Sequence, residues 1–213
     1  AHAVDDHFMR VTLVIRGEEW IPSTALHIEL FKALEFDLVS YAHVPTIMKN
    51  DNGSRRKLSK RKDSEAAVSY FQAEGYPVEA VLEYLLTIIN SDYELWRKQH
   101  ENESYLNFGV KLSKLNSAGA LFDIVKLIDV SKNVIAKMTS AELLENVINW
   151  SKIYDQKAYD ILIRDLDYSK KILGIERDGA IKIRKDFAKY GDIFSNILYF
   201  FNDLYLADIK NGY

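Results

Sequence analysis

The chain has 213 residues, 48% of them hydrophobic and 28% charged, enough to bury a core and to form one or two domains. Its 28 Lys and Arg against 31 Asp and Glu leave a net charge of −3, which excludes a globally basic nucleic-acid coat and confines any RNA contact to local patches. There is no cysteine, hence no disulfide and no thiolate metal site. The five histidines (His2, His7, His27, His43, His100) lack paired zinc-type helical spacing, and no apolar run approaches a membrane span. A cytoplasmic location is the expectation this composition permits.

The first residues carry no methionine and pass quickly into residues 8–15, rich in Val, Ile, Leu and Thr, which read as a buried strand. A chain opening at the lip of a core strand is expected to be the later part of a longer protein whose earlier part supplies neighbouring strands. Asp5 and Asp6 are adjacent. On a strand they face opposite ways, so they cannot share one proton or one metal. Arg16-Gly17-Glu18-Glu19-Trp20 follows, then Pro22-Ser23-Thr24, where Ser23 or Thr24 can cap a helix running through Leu26, Leu30, Phe31 and Leu34. Residues 39–44 read as a second strand. Strand, helix, strand is a piece of a nucleotide-binding α/β layer, in which ligands gather at the carboxyl ends of parallel strands, and Arg16 sits at such an end.

Asp51-Asn52-Gly53 offers a turn, and six of the eight residues from 55 to 62 are cationic. Charges that dense repel one another unless a polyanion or solvent separates them. The run lies between an apolar strand-like stretch (39–48) and an amphipathic helical one (64–73). A loop leaving a sheet and entering a helix commonly holds phosphate, because the first helical amides are unpaired and the dipole there is positive. The competing reading is a solvated surface or nuclear-import-like patch.

Beyond residue 64 the pattern is helical. Pro77 opens a helix with Val78, Val81, Leu82, Leu85 and Leu86 on one side. Ser140 caps another with Leu143, Leu144, Val147 and Ile148 inward, and residues 159–173, 180–190 and 192–205 continue the pattern. The polar stretch 92–107 offers a boundary, and residues 64–90 can form a connecting unit of their own.

Several ordered motifs carry a resemblance. Val4-Asp5-Asp6-His7-x-Met9, Val14-Ile15-Arg16-Gly17-Glu18-Glu19-Trp20-x-Pro22-Ser23-Thr24, Ala42-His43-Val44-Pro45 and Lys57-Leu58-Ser59-Lys60-Arg61 occur in the order and approximate spacing of bacterial-type glutamyl-tRNA synthetases, which are class I aminoacyl-tRNA synthetases. Glu74-Gly75-Tyr76 and Gly119-Ala120-x-Phe122-Asp123-x-x-Lys126-Leu127 are also similar to that family, and the resemblance weakens after about residue 154.

The resemblance implies a mixed, mainly α fold. Residues 1–63 would be the C-terminal part of a Rossmann-like α/β catalytic domain, 64–106 a helical connecting unit that touches the inner side of the tRNA L, and 107–213 part of an α-helical anticodon-binding region. It implies ATP-dependent attachment of L-glutamate to tRNA(Glu) through a glutamyl-adenylate, with tRNA(Gln) as an open second acceptor, ATP with Mg2+ as substrate and no protein-bound metal.

Lys57, Lys60 and Arg61 match the catalytic Lys-Met-Ser-Lys-Ser-type signature. Lys60, Lys57, Ser59 and Trp20 would contact ATP, with Lys60 foremost. Fixed cations suit charge that grows on phosphate oxygens. Arg16 matches the arginine that holds a substrate carboxylate, a task for a guanidinium fork. The competing roles are an ion pair with Asp5, Asp6, Glu18 or Glu19 for Arg16, and core packing for Trp20. His7 and His43 read as structural or surface residues.

The family's His-Ile-Gly-His-type signature does not occur in these residues, so the chain alone is expected to be inactive. Lys62-Asp63-Ser64-Glu65 replaces the small or glycine-containing segment of many relatives. Lys111, Lys114, Lys126, Lys132, Lys182, Arg184 and Lys185 can meet phosphates or simply be solvated helix-face charges, and Tyr199-Phe200-Phe201 reads as core. The alternative from another class is a non-catalytic helical RNA- or protein-binding module with a basic loop. A glutaminyl-type relative is disfavoured, because β-barrels would follow its catalytic part where helical periodicity stands here.

Overall fold

A computed structural model describes residues 1–51, 53–116 and 119–210, the last four by backbone alone. In chain order the elements are α1 (His2–Phe8), β1 (Leu13–Gly17), a 3-10 turn (Glu18–Ser23), α2 (Thr24–Ala33), β2 (Ser40–Val44), β3 (Met48–Asp51) and β4 (Ser54–Lys57). Helices follow: α3 (Val68–Glu74), α4 (Val78–Ile89), α5 (Tyr93–Gln99), α6 (Ile124–Lys137), α7 (Ser140–Tyr154), α8 (Gln156–Leu162), α9 (Leu166–Leu173), α10 (Tyr190–Ile197) and α11 (Asn202–Lys210). The chain divides into two compact units, Ala1–Leu58 with Leu85–Phe122, and Ser59–Tyr84 with Asp123 onward.

In the first unit β1 and β2 pair in parallel, placing Arg16 opposite His43, and β3 and β4 form an antiparallel hairpin. A two-residue connection needs positive φ, which Gly53 supplies at φ 85. Asn52, the middle of the expected turn, lies outside the described residues. Ala3 and Phe31, each 1% exposed, join α1 to α2. Tyr93 begins a second small core, its ring 5.8 Å from Trp96 and 5.0 Å from Phe108.

The second unit is built on Ile135, Leu143, Leu144, Val147, Leu162, Ile172, Leu173, Ile193 and Ile197. Full burial of such a side chain stabilises by roughly 1.5–3 kcal/mol. Residues 59–84 are fastened to this bundle where α3 ends. Gly75 turns the chain at φ 84, its carbonyl accepts the Tyr190 N–H at 2.8 Å, Trp150 Nε1 donates to the Gln72 carbonyl at 3.0 Å, and Lys189 pairs with Glu74. A Cβ on Gly75 would sit 2.8 Å from the Gly191 nitrogen, and one on Gly191 2.8 Å from the Glu74 carbonyl oxygen. Only bare backbone allows that approach.

A neighbouring dipeptide fixes three helix ends. Arg177, 6% exposed, donates through Nε to the Leu173 carbonyl at 3.1 Å and through Nη1 to those of Ile135 (2.6 Å) and Met138 (3.0 Å), at the C-terminal ends of α9 and α6. Asp178 accepts from the Ser140 N–H at 2.9 Å and from its hydroxyl, at the N-terminal end of α7. Each charge therefore faces the helix pole of opposite sign.

Several expectations are corrected. The stretch 8–15 is not one strand: α1 ends at Phe8, Arg10 turns the chain at φ 57, and β1 starts at Leu13. Asp5 and Asp6 are therefore helical. The first three residues of the basic run, 55–57, are in strand β4, paired with β3, rather than in a loop. Residues 64–66 form a 3-10 turn, and α3 starts only at Val68.

Of the apolar stripe on α2 only Phe31 is buried; Leu26 is 71% exposed. On α4 the buried positions are Ala80, Glu83 and Tyr84. Thr139 rather than Ser140 caps α7, in a reciprocal box with Glu142. Neither Ser23 nor Thr24 caps α2, since both hydroxyls donate to the Trp20 carbonyl. Residues 180–189 carry no helix: positive φ at Glu176 and Gly179 breaks the chain, and Ile181 is fully exposed.

Candidate active site

β1 delivers Arg16 to its C-terminal end, where the 3-10 turn and the first turn of α2 curl round it. The guanidinium donates from Nε to His43 Nε2 at 3.1 Å, from Nη1 to His27 Nδ1 at 2.7 Å, and from Nη2 to Thr24 Oγ1 at 2.7 Å and the Trp20 carbonyl at 3.4 Å. Its carbon stands 4.6 Å from the centre of the Tyr41 ring. A guanidinium only donates, so His27 Nδ1 and His43 Nε2 are both unprotonated acceptors. Among the described residues Arg16 forms no ion pair with Asp5, Asp6, Glu18 or Glu19. It is a half-buried cation held by neutral groups, with one Nη1 hydrogen to spare.

Two of those groups, His27 and Tyr41, are biased toward their neutral forms. Burial pushes the His27 pKa down, helped by the charges of His2 and Arg16, and burial pushes the Tyr41 phenol up. The Tyr41 hydroxyl is buried without a hydrogen-bond partner among the described residues. Trp20 is 49% exposed beside this cluster, its ring centre 6.0 Å from the guanidinium carbon, so core packing does not account for it.

Lys57, at the end of β4, bonds the Glu19 carboxylate at 3.2 Å. Glu19 folds back over Gly17, where any Cβ would collide with its carboxylate. Its own backbone N–H, and then Lys57, hold its pKa below the usual carboxylate value. Glu18 Oε1 accepts from both the N–H and the hydroxyl of Thr46, at 3.2 and 3.1 Å. The two adjacent glutamates thus fasten the 3-10 turn to the segments around the hairpin. Arg56 is paired with Asp51 at 2.7 Å.

In the second unit, buried Asp63 accepts the Ser59 N–H at 2.9 Å, while the Ser59 carbonyl accepts from the N–H groups of Lys62 (3.0 Å) and Asp63 (2.8 Å). This closed turn leaves Lys60 and Arg61 exposed, with no side-chain partner among the described residues. Arg16, Trp20 and Lys57 therefore belong to the first unit, and Ser59, Lys60 and Arg61 to the second. The family model for class I tRNA synthetases (E and Q), catalytic domain, matches residues 1–121.

The chain belongs to that class I synthetase family. Relatives extend the likeness past the family model. The chain is 50% identical over 208 residues to a Glutamate--tRNA ligase of Clostridium beijerinckii, covering 98% of this chain and 37% of that protein. It is 47% identical over 211 residues to one from Clostridium perfringens, covering 99% and 38%. The fold is that of the crystal structure of a glutamate tRNA ligase from Elizabethkingia meningosepticum in complex with its amino acid, at TM-score 0.66 and 23% identity over 93% of this chain and 39% of that one. The chain thus spans under two fifths of the length of these synthetases.

Sequence reasoning named Arg16, Trp20 and the Lys57–Arg61 run and missed their supports. Thr24 and His27 are three apart on α2 and so share the face turned to Arg16, a spacing visible in the sequence. Asp63, four residues after Ser59, is a carboxylate placed to close a turn. Glu19 stood inside the quoted motif. Nothing in the one-dimensional pattern pairs it with Lys57, which lies 38 positions away.

Proposed function

We propose that this chain is part of an enzyme that uses ATP to attach L-glutamate to tRNA(Glu) through a glutamyl-adenylate. The observation that carries the reading is the company of Arg16: a half-buried guanidinium ringed by imidazole, hydroxyl, carbonyl and phenol, with no carboxylate among the described residues bonded to it. Such a cation favours an incoming carboxylate. A carboxylate meeting the Nη1–Nη2 edge takes the spare Nη1 hydrogen and replaces the long bond to the Trp20 carbonyl, giving two parallel N–H···O bonds.

Trp20 offers an exposed face beside that edge for the nucleotide. Lys57, Lys60 and Arg61 supply the cations, and Ser59 its hydroxyl, that meet the α-phosphate and departing pyrophosphate, with Mg2+ accompanying ATP as substrate. Binding of phosphate releases Lys57 from Glu19. Residues 64–106 serve as the connecting unit and 107–213 as the tRNA-facing helices, with tRNA(Gln) a second acceptor to be tried. The 213 residues alone are expected not to form adenylate, since they contain no His-Ile-Gly-His-type signature.

The test is steady-state charging of tRNA(Glu) by the full-length protein that contains this chain. Arg16→Lys keeps the charge and loses the fork. It should raise KM for glutamate about 10–100-fold, the worth of a charged hydrogen bond, and leave KM for ATP within about twofold. A glutamate KM unchanged by this substitution refutes the assignment.

A further inference from the structure

Resting on that reading of Arg16, we propose that His27 is a positioning residue whose unprotonated Nδ1 fixes one arm of the guanidinium, so that carboxylate capture by Arg16 weakens when His27 takes up a proton. The contact is short, 2.7 Å to Nη1, and the arm it holds carries the one hydrogen not otherwise engaged. His43 and Thr24 hold the Nε and Nη2 sides, and Tyr41 holds the face. The group is planar, so His27 adds the fourth contact that locks the fork in its plane, at the arm next to the free hydrogen.

A protonated imidazole cannot accept, so protonation turns this support into a repulsion between two cations. Nothing around His27 supports an imidazolium. Across from it, His2 of α1 lies with ring centres 4.4 Å apart, Trp20 of the 3-10 turn lies 6.1 Å away, and β1 presents Arg16 itself. From β2 come His43, which accepts from Arg16 through Nε2, and Tyr41, on which Asp6 of α1 also acts. No carboxylate bonds His27 among the described residues.

Burial and the charges of His2 and Arg16 hold its pKa below the ordinary imidazole value of about 6.5. The neutral, Arg16-holding form therefore predominates above about pH 6.5 and is lost as pH falls through the depressed value. Glutamate's own carboxyls titrate near or below about 4.3, so substrate ionisation is constant in that window. An extra positive charge would by itself favour an anion. At an open site that attraction is screened by solvent, whereas displacing the fork removes two directed hydrogen bonds.

The experiment measures KM for glutamate and kcat of the full-length protein from pH 5 to 8, for wild type, His27→Leu, His27→Asn and Arg16→Lys. His27→Leu should raise glutamate KM about tenfold at pH 7.5 with ATP KM unmoved. His27→Asn, whose Oδ1 can stand in for Nδ1, should recover most of that loss and lack the acid-side rise in KM that wild type shows. If Arg16→Lys raises KM while His27→Leu does not, or if His27→Asn keeps the full acid rise, the role of His27 is overturned and the reading of Arg16 survives. If Arg16→Lys is also silent, that reading fails with it.

Discussion

At the scale of single residues, what separates the cations of this chain is whether they already have a partner. Arg56 and Lys57 are paired with Asp51 and Glu19, and Arg177 spends its donors on carbonyl groups. Lys60 and Arg61 stand exposed on a turn closed by Asp63, with no side-chain partner among the described residues. Holding a long side chain in solvent brings no stability, so its effect should appear in chemistry alone. In the full-length protein Lys60→Ala is expected to slow glutamate-dependent pyrophosphate exchange about 10²-fold, as for loss of one preplaced transition-state contact. Affinity for tRNA should change by less than about threefold, because one cation among many meets the backbone. Exchange at the wild-type rate would remove Lys60 from the mechanism. Its position was legible from the five-residue motif, but its freedom was not: whether a surface lysine is paired depends on which carboxylates fold near it.

At the scale of elements, the departures from sequence expectation share a cause, which is that backbone demands override side-chain pattern. Residues 180–189 mix apolar and charged side chains and contain neither a proline nor a glycine, which suggests a helix. The positive φ values at Glu176 and Gly179 and the polar anchors on Arg177 and Asp178 dictate an irregular path instead. The long helices were readable because Leu143, Leu144 and Val147 keep helical spacing and lie buried. The Gly75–Gly191 approach was invisible, since it joins residues far apart in sequence through groups that carry no side chain.

That approach is tested by adding one carbon. Gly191→Ala sets a Cβ 2.8 Å from a backbone oxygen and should cost about 1–3 kcal/mol. Gly109→Ala meets nothing within 4 Å and should leave the urea midpoint essentially in place. Equal midpoints for the two variants would show that the joint between α3 and α10 yields freely.

At the scale of the whole molecule, a net charge of −3 means that attraction to a polyanion must come from patches rather than from the global field. The chain should bind tRNA(Glu) at 50 mM salt and lose at least about tenfold in affinity by 200 mM, as counterion release requires of several phosphate contacts. Anisotropy titrations with labelled tRNA read this directly, and salt-independent binding would exclude phosphate contact as its source. The family was legible because its motifs are short and ordered along the chain. The allocation of Lys57 to one compact unit and Ser59 to the other was not, because a signature read in one dimension gives no sign that its middle is a division between bodies.

Arg177 and Asp178 show a different kind of constraint. Two consecutive charges of opposite sign face helix poles of opposite sign, so deleting one residue ahead of them would carry Asp178 to the carbonyl ends that Arg177 now serves, and inserting one would carry Arg177 to the amide end of α7. Residues 174–189 therefore tolerate a change of composition more easily than a change of length. The least regular stretch of the bundle is its least extensible one, a key whose cut is read in polarity rather than in shape.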